Sequence, residues 1–171
     1  MEDTKVPIDK VEGYNCFACG TANPIGLKLS FYHQGGYVCS DVTLDKNYEG
    51  WENMAHGGII STLLDEVMSW TIIYFIRDFF VTKKMQVRYI RPVPLGRPLL
   101  VRGKIIQSDQ KEVRAKAEII GESNKILARA QGDFVLVPKE RLAALSEKLK
   151  EDMERLFKKL GEPASLKGKS S

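Results

Sequence analysis

Histidine is nearly absent from this chain. Only His33 and His56 occur, which excludes a metal site built from several imidazoles. Cysteine is scarce too, and an odd set of three (Cys16, Cys19, Cys39) cannot all pair within one chain. The opening residues Met1-Glu2-Asp3-Thr4-Lys5 hold no apolar stretch of the secretory kind. Free thiols without such a stretch lead us to expect a reducing, cytoplasmic setting. Glycine (14) and proline (7) are too few for a collagen-like or low-complexity chain. A strong excess of one charge is also missing: a net +4 over 171 residues tolerates anionic partners without calling for nucleic acid. Only one apolar run is long. Residues 57–76 read GGIISTLLDEVMSWTIIYFI, with Asp65 and Glu66 near the centre. Each carboxylate at mid-bilayer costs about 3 kcal/mol, so a buried helix is expected and a membrane span is not.

What is present is 43% apolar and 28% charged, enough to bury one full core. Residues 27–33 alternate apolar and polar as a strand does, Gln34-Gly35-Gly36 predicts a hairpin turn, and residues 37–44 form the returning strand. The helix of residues 57–76 follows a loop. Four β-like runs come next, at 81–90, 99–107, 113–120 and 126–137, with turn-rich segments between them. Two strands, a helix and a four-strand antiparallel meander make the chain α+β, with six strands. Residues 1–15 are expected to lie over the surface, 16–137 to form the domain and 161–171 to be a frayed tail. Residues 138–160 read as an amphipathic helix, with Leu142, Leu145, Leu149, Met153, Leu156 and Leu160 on one stripe.

His56-Gly57-Gly58 stands where a loop enters the long helix. Paired glycines are poor helix formers, but they let another atom approach the backbone closely. The free N–H groups of a helix start attract negative charge. The motif therefore suits a carbonyl turning into an oxyanion, or simply a tight entry turn. Further along, Gly58, Ser61, Thr62, Asp65 and Ser69 fall within about 100° of one another, and Glu66 lies about 100° from Asp65. Asp65 on this small, polar stripe is a general base with a pKa raised by desolvation, or a member of a hydrogen-bond network or polar subunit contact. Gly57 and Asp65 are separated by about 12 Å of helix rise. One chain cannot easily bring both to one carbonyl; two antiparallel copies related by a two-fold can. A homo-oligomer with sites at the dimer interface is expected.

His56-Gly57-Gly58 through Asp65-Glu66 resembles the HGG-x6-D signature of hotdog-fold acyl-CoA thioesterases, in the subgroup similar to phenylacetate-pathway thioesterases. Val87-Arg88-Tyr89-Ile90-Arg91-Pro92-Val93-Pro94-Leu95-Gly96 resembles the family's strand and turn after the helix. Cys16-Phe17-Ala18-Cys19-Gly20 with Asn23-Pro24-Ile25-Gly26-Leu27 resembles a leader found in one bacterial branch. The resemblance spans residues 14–137 and implies a hotdog fold, a long helix wrapped by an antiparallel sheet, hydrolysing acyl-CoA thioesters. By the same resemblance Asp65 is a general base or nucleophile, and Gly57 is the backbone donor that polarises the thioester carbonyl. His56 positions the loop or substrate. Ser69 orients water or carboxylate, and Thr82 falls near a second hydroxyl position. Several relatives carry Asn or Gln where this chain has Gly50; Asn53 is the candidate substitute, and Gly58 and Glu66 complete the neighbourhood.

Coenzyme A would enter as part of the substrate, with no separate cofactor. Arg91 and Arg97, flanking the Pro-Gly turn, are the candidate phosphate contacts, and Trp70 and Tyr74 could line an acyl pocket. Cys16 and Cys19 form a CxxC with no second pair, and Cys39 and His33 would complete a zinc set only by chance folding. Two free thiols and no metal are therefore expected. The alternatives to hydrolysis are a non-catalytic acyl-CoA-binding sensor or scaffold on the same fold, and a hotdog dehydratase.

Overall fold

Helix α1 (Gly57–Phe75) is the centre of the molecule, and its composition explains why. Apolar residues occupy most of its circumference, so it is stable only when covered. Leu63, Leu64, Val67, Met68, Thr71 and Ile72 are fully sealed from solvent. The helix begins at His56, whose side chain caps it, and stops where Arg77 turns left-handed at φ +61°. By length and composition alone α1 could cross a membrane, but the sheet wraps it. The computed structural model describes residues 4–161.

The sheet has seven antiparallel strands: β1 (Val6–Ile8), β2 (Phe31–Gln34), β3 (Tyr37–Thr43), β4 (Phe80–Tyr89), β5 (Pro98–Ser108), β6 (Glu112–Ile120) and β7 (Ile126–Leu136). They lie in the order β1-β2-β3-β5-β6-β7-β4. Helix α1 packs on β3, β5, β6 and β7. Small residues let it settle there. Gly103, Ala117 and Ala130 stand side by side across β5, β6 and β7. A Cβ on Gly103 would lie 2.7 Å from the Thr71 hydroxyl oxygen and 3.1 Å from the Val67 carbonyl. Ala115 and Ala128 extend this trough and are fully buried.

The α+β class and the central helix match the sequence expectation; several details do not. The count is seven strands rather than six, because Val6–Ile8 of the leader pairs with β2. Residues 27–30 are not strand: Lys28 sits at φ +52°, and the leader's own bonds take the amides of Leu27 and Leu29. The predicted four-strand meander shrinks to β5-β6-β7, since β4 pairs with β7 at the far edge. The link between β4 and β5 explains this. Pro92 and Pro94 stiffen it, and its amides bond elsewhere: Ile90 and Arg91 to the Leu127 carbonyl, Leu95 to Asn53 and Gly96 to Leu44. Finally, the C-terminal helix α2 covers Glu147–Lys159 and not the whole of 138–160. Residues Lys139–Ala144 form a 3-10 turn, Leu145 is extended, and Ser146 caps the true start by accepting from the Leu149 amide. Of the expected tail, residues 162–171 lie outside the described residues.

Candidate active site

The loop entering α1 is tightly built. The His56 amide donates to the Tyr48 carbonyl and the Ala55 amide to that of Val93, each at 2.9 Å. Gly50 is packed against His56: a Cβ there would lie 2.8 Å from the His56 Cα. Gly50 thus lets the loop close tightly on His56. Asn53, the proposed substitute, is left-handed at φ +59° and anchored to the loop itself. Its amide donates to Glu49 at 2.6 Å and its carbonyl accepts from the Leu95 amide at 3.1 Å.

At the helix tip the His56 Nδ1 accepts from the Gly58 amide at 2.9 Å. That leaves the Gly57 N–H at the first helical position, with no acceptor among the described residues. One turn on, the Ser61 hydroxyl donates to the Gly57 carbonyl at 3.0 Å and lies 2.7 Å from the Tyr89 hydroxyl, which reaches the same carbonyl at 3.1 Å. Thr62 bonds the Gly58 carbonyl at 2.9 Å. Tyr89, at the end of β4, thereby pins the Gly57 turn. Tyr89 lies on the same face of β4 as Met85 and Val87, and its hydroxyl is the sequence signal for this polar role.

Asp65 is half-buried on the same stripe, and Thr82 at the start of β4 donates to its Oδ1 at 3.2 Å. Burial pushes its carboxyl above the ordinary value, a negative Cys16 acts in the same direction, and the Thr82 hydroxyl opposes both. Ser69, one turn further, is also half-buried. Gly57, Ser61 and Asp65 therefore run beside β4, the sheet's last strand, where Val81 and Tyr89 are more than half exposed. Such an open edge with apolar side chains is where a second chain can pair.

The other expected residues fall elsewhere. Glu66 points away from this stripe, toward the leader, and its Oε1 accepts from the Trp70 indole at 3.1 Å. Burial raises its carboxyl to about 7. Trp70 is buried and stacked on Phe31 with ring centroids 4.8 Å apart. Tyr74 stacks on His33 at 4.9 Å. Arg91 donates to the Ile126 carbonyl at 2.7 Å, and Arg97 lies 3.5 Å from Glu122 in an exposed pair. Sequence reasoning missed the closeness of Cys16 to Asp65 and Glu66; fifty residues of separation carry no signal for it.

A long apolar helix gripped by one antiparallel sheet, with a glycine-rich tip and an acid on its open flank, is a hotdog domain. Residues 52–128 match the Thioesterase superfamily. No curated protein matches the chain. Among solved structures it is similar to a thioesterase superfamily protein at 26% identity and TM-score 0.66, over 71% of this chain and 60% of that one. The chain thus spans less than two thirds of that relative's length. It is also similar to the PaaI protein of the Escherichia coli phenylacetic acid degradation operon, at 16% identity and TM-score 0.58, over 66% of this chain and 81% of that one. A third is a hypothetical thioesterase protein from Streptococcus pneumoniae TIGR4, solved with coenzyme A, at 18% identity and TM-score 0.57, over 60% of this chain and 79% of that one.

Proposed function

We propose that the chain hydrolyses an acyl-CoA thioester to a carboxylate and free coenzyme A, as a homo-oligomer with its sites between subunits. The observation that carries this reading is the pairing, on one helix flank, of a Gly57 N–H with no acceptor among the described residues and a half-buried Asp65 that, among those residues, only Thr82 holds. The two are about 12 Å apart along α1, so each would work with its counterpart from the other subunit. The Gly57 amide of the partner subunit would receive the developing oxyanion. Asp65 would take a proton from water or attack the carbonyl itself. His56 and Tyr89 would fix the donor loop, and Thr82, with Ser69 one turn on, would orient the carboxylate or water. The match of residues 52–128 to the Thioesterase superfamily supports the reaction class, and the similar structure solved with coenzyme A supports the form of the substrate.

The test is thiol release from a panel of aliphatic and aromatic acyl-CoAs, followed with a thiol-reactive dye, together with the solution mass of the protein. Turnover of at least one member by an oligomer is expected. Tight acyl-CoA binding without thiol release would replace the enzyme with a sensor, and a fully active monomer would remove the shared site.

A further inference from the structure

The leader carries a cluster that the proposed reaction does not use. Cys16, Cys19 and Glu66 each offer one ligand atom, and the three atoms lie within 4.8 Å of one another. We propose that they bind one zinc ion, with solvent in the fourth position.

The geometry fits the ion. Zinc binds thiolate sulfur at about 2.3 Å and carboxylate oxygen at about 2.0–2.2 Å, so a tetrahedral site has ligand–ligand edges of about 3.5–3.8 Å. The edge from the Cys16 sulfur to Glu66 Oε1 is already 3.9 Å. Two thiolates and a carboxylate are a donor set that suits zinc better than magnesium or calcium.

The surroundings hold each ligand as metal ligands are held. The Trp70 indole donates to the same Glu66 oxygen at 3.1 Å and so fixes the carboxylate's rotamer. Cys16 and Cys19 stand at the two ends of one tight turn. That turn is closely packed and hydrogen-bonded. The Gly20 amide donates to the Cys16 carbonyl at 2.9 Å, and a Cβ on Gly20 would lie 2.5 Å from the Cys16 nitrogen. The Lys10 ammonium lies beside the cluster, on the Cys19 carbonyl at 3.0 Å, and offsets negative charge left over after a dication binds. A cleft of about 170 Å³ lined by all three ligands and by α2 gives the ion and its solvent an approach. The residues considered from sequence to complete a zinc set are elsewhere: Cys39 is buried in β3 and His33 stacks on Tyr74. The third ligand is instead a helix carboxylate. The ion would staple the leader to α1 immediately behind Asp65. This inference does not depend on thioester hydrolysis.

The experiment uses the full chain, kept reduced with a phosphine. Metal analysis after gel filtration in the presence of a weak chelator should give one zinc per chain. Cobalt in its place should show a thiolate charge-transfer band and the intense visible bands of a tetrahedral site. Cys16→Ser should abolish the charge-transfer band or halve it. Trp70→Phe should weaken zinc binding about 10- to 100-fold, the usual cost of an outer-shell partner, and Glu66→Gln should weaken it by more than that. Circular dichroism of each variant checks its fold, and the wild-type metal content stands whether or not the variants fold. Less than about a tenth of an equivalent of metal in the reduced wild type overturns the proposal, as does octahedral cobalt. So does a folded Glu66→Gln variant with unchanged affinity. A Cys16–Cys19 disulfide that persists in the reductant also overturns it.

Discussion

Replacing Asp65 with asparagine separates chemistry from structure at this site. Among the described residues Asp65 makes one hydrogen bond, as acceptor from Thr82 at 3.2 Å. An amide oxygen in the same place accepts that bond equally well, and the volume hardly changes. What disappears is the charge and the basicity. A positioned general base contributes about 10²- to 10⁴-fold in rate, or about 3–5 kcal/mol of transition-state stabilisation at 1.36 kcal/mol per tenfold. Stability should not follow the rate downward. One long hydrogen bond does not compensate a half-buried carboxylate for lost hydration, so neutralising it removes a strain on the native state. We expect D65N to lose at least about 99% of kcat/KM in the thiol-release assay and to melt no lower than wild type. Retention of more than about a tenth of the wild-type rate refutes a base or nucleophile at this position. A steep fall in Tm accompanying the lost rate refutes the argument differently, by making Asp65 a structural residue.

Three further outcomes test the surroundings. Gly50→Ala forces a Cβ to 2.8 Å from the His56 Cα. It should lower kcat/KM by displacing the His56–Gly57 turn, with overpacking costing about 1–3 kcal/mol of stability by denaturant unfolding. Unchanged kinetics would show that the turn does not need its present closure. Gly103→Ala places a methyl against the Thr71 hydroxyl and the Val67 carbonyl. A loss of about 1–3 kcal/mol is expected there too, and a stability equal to wild type would contradict the close approach of α1 to β5. The third concerns pH. Asp152 on α2 is buried and accepts from the Tyr14 hydroxyl at 2.5 Å and from Arg155, and the Tyr14 bond chiefly holds its carboxyl below the ordinary value. A depressed folded pKa contributes stability that is present above the unfolded value, about 4, and is lost as pH falls through the folded one. Asp152→Asn should therefore melt lower than wild type at pH 7, and the gap should close on acidification below about pH 4. A gap independent of pH would show that charge is not what holds α2 to the leader.

Much of this architecture is legible in the sequence because it depends on local rules. The run of apolar residues from Ile59 to Phe75 can only be a covered helix, and the alternation in β5, β6 and β7 reads directly as strands. What local rules do not carry is the partner of each strand. Residues 80–89 look the same whether they pair with β5 or β7; the proline-stiffened link after Arg91, tied to Leu127 and to the α1 entry loop, decides it. Likewise Val6-Pro7-Ile8 is too short and too interrupted by proline to announce a strand, and it becomes one only because β2 offers an edge. The trough of Gly103, Ala115, Ala117, Ala128 and Ala130 is visible only after register is known, since each residue alone is unremarkable.

The adjacent acids show how far angular arithmetic reaches. One step along a helix turns the side chain by about 100°, so Asp65 and Glu66 must serve different neighbours. The sequence supplies that angle but no origin for it. The origin is the face of Leu64, Val67, Met68 and Thr71, which the sheet takes because glycine and alanine beneath it allow close approach. Once that face is buried, the two remaining polar flanks have fixed destinations. Asp65 turns to the open edge at Thr82, where a second chain could complete a reacting site, and Glu66 turns to the leader, to Trp70 and Cys16. A rotation of α1 by about 100° would carry one acid into the other's place and displace its neighbour. The packing that prevents it, Thr71 and Val67 against Gly103, contains no titratable group at all. The division of labour between the two carboxylates is thus set with the help of a glycine on the opposite layer, and Gly103→Ala, by pressing on that contact, should disturb both Asp65 and Glu66.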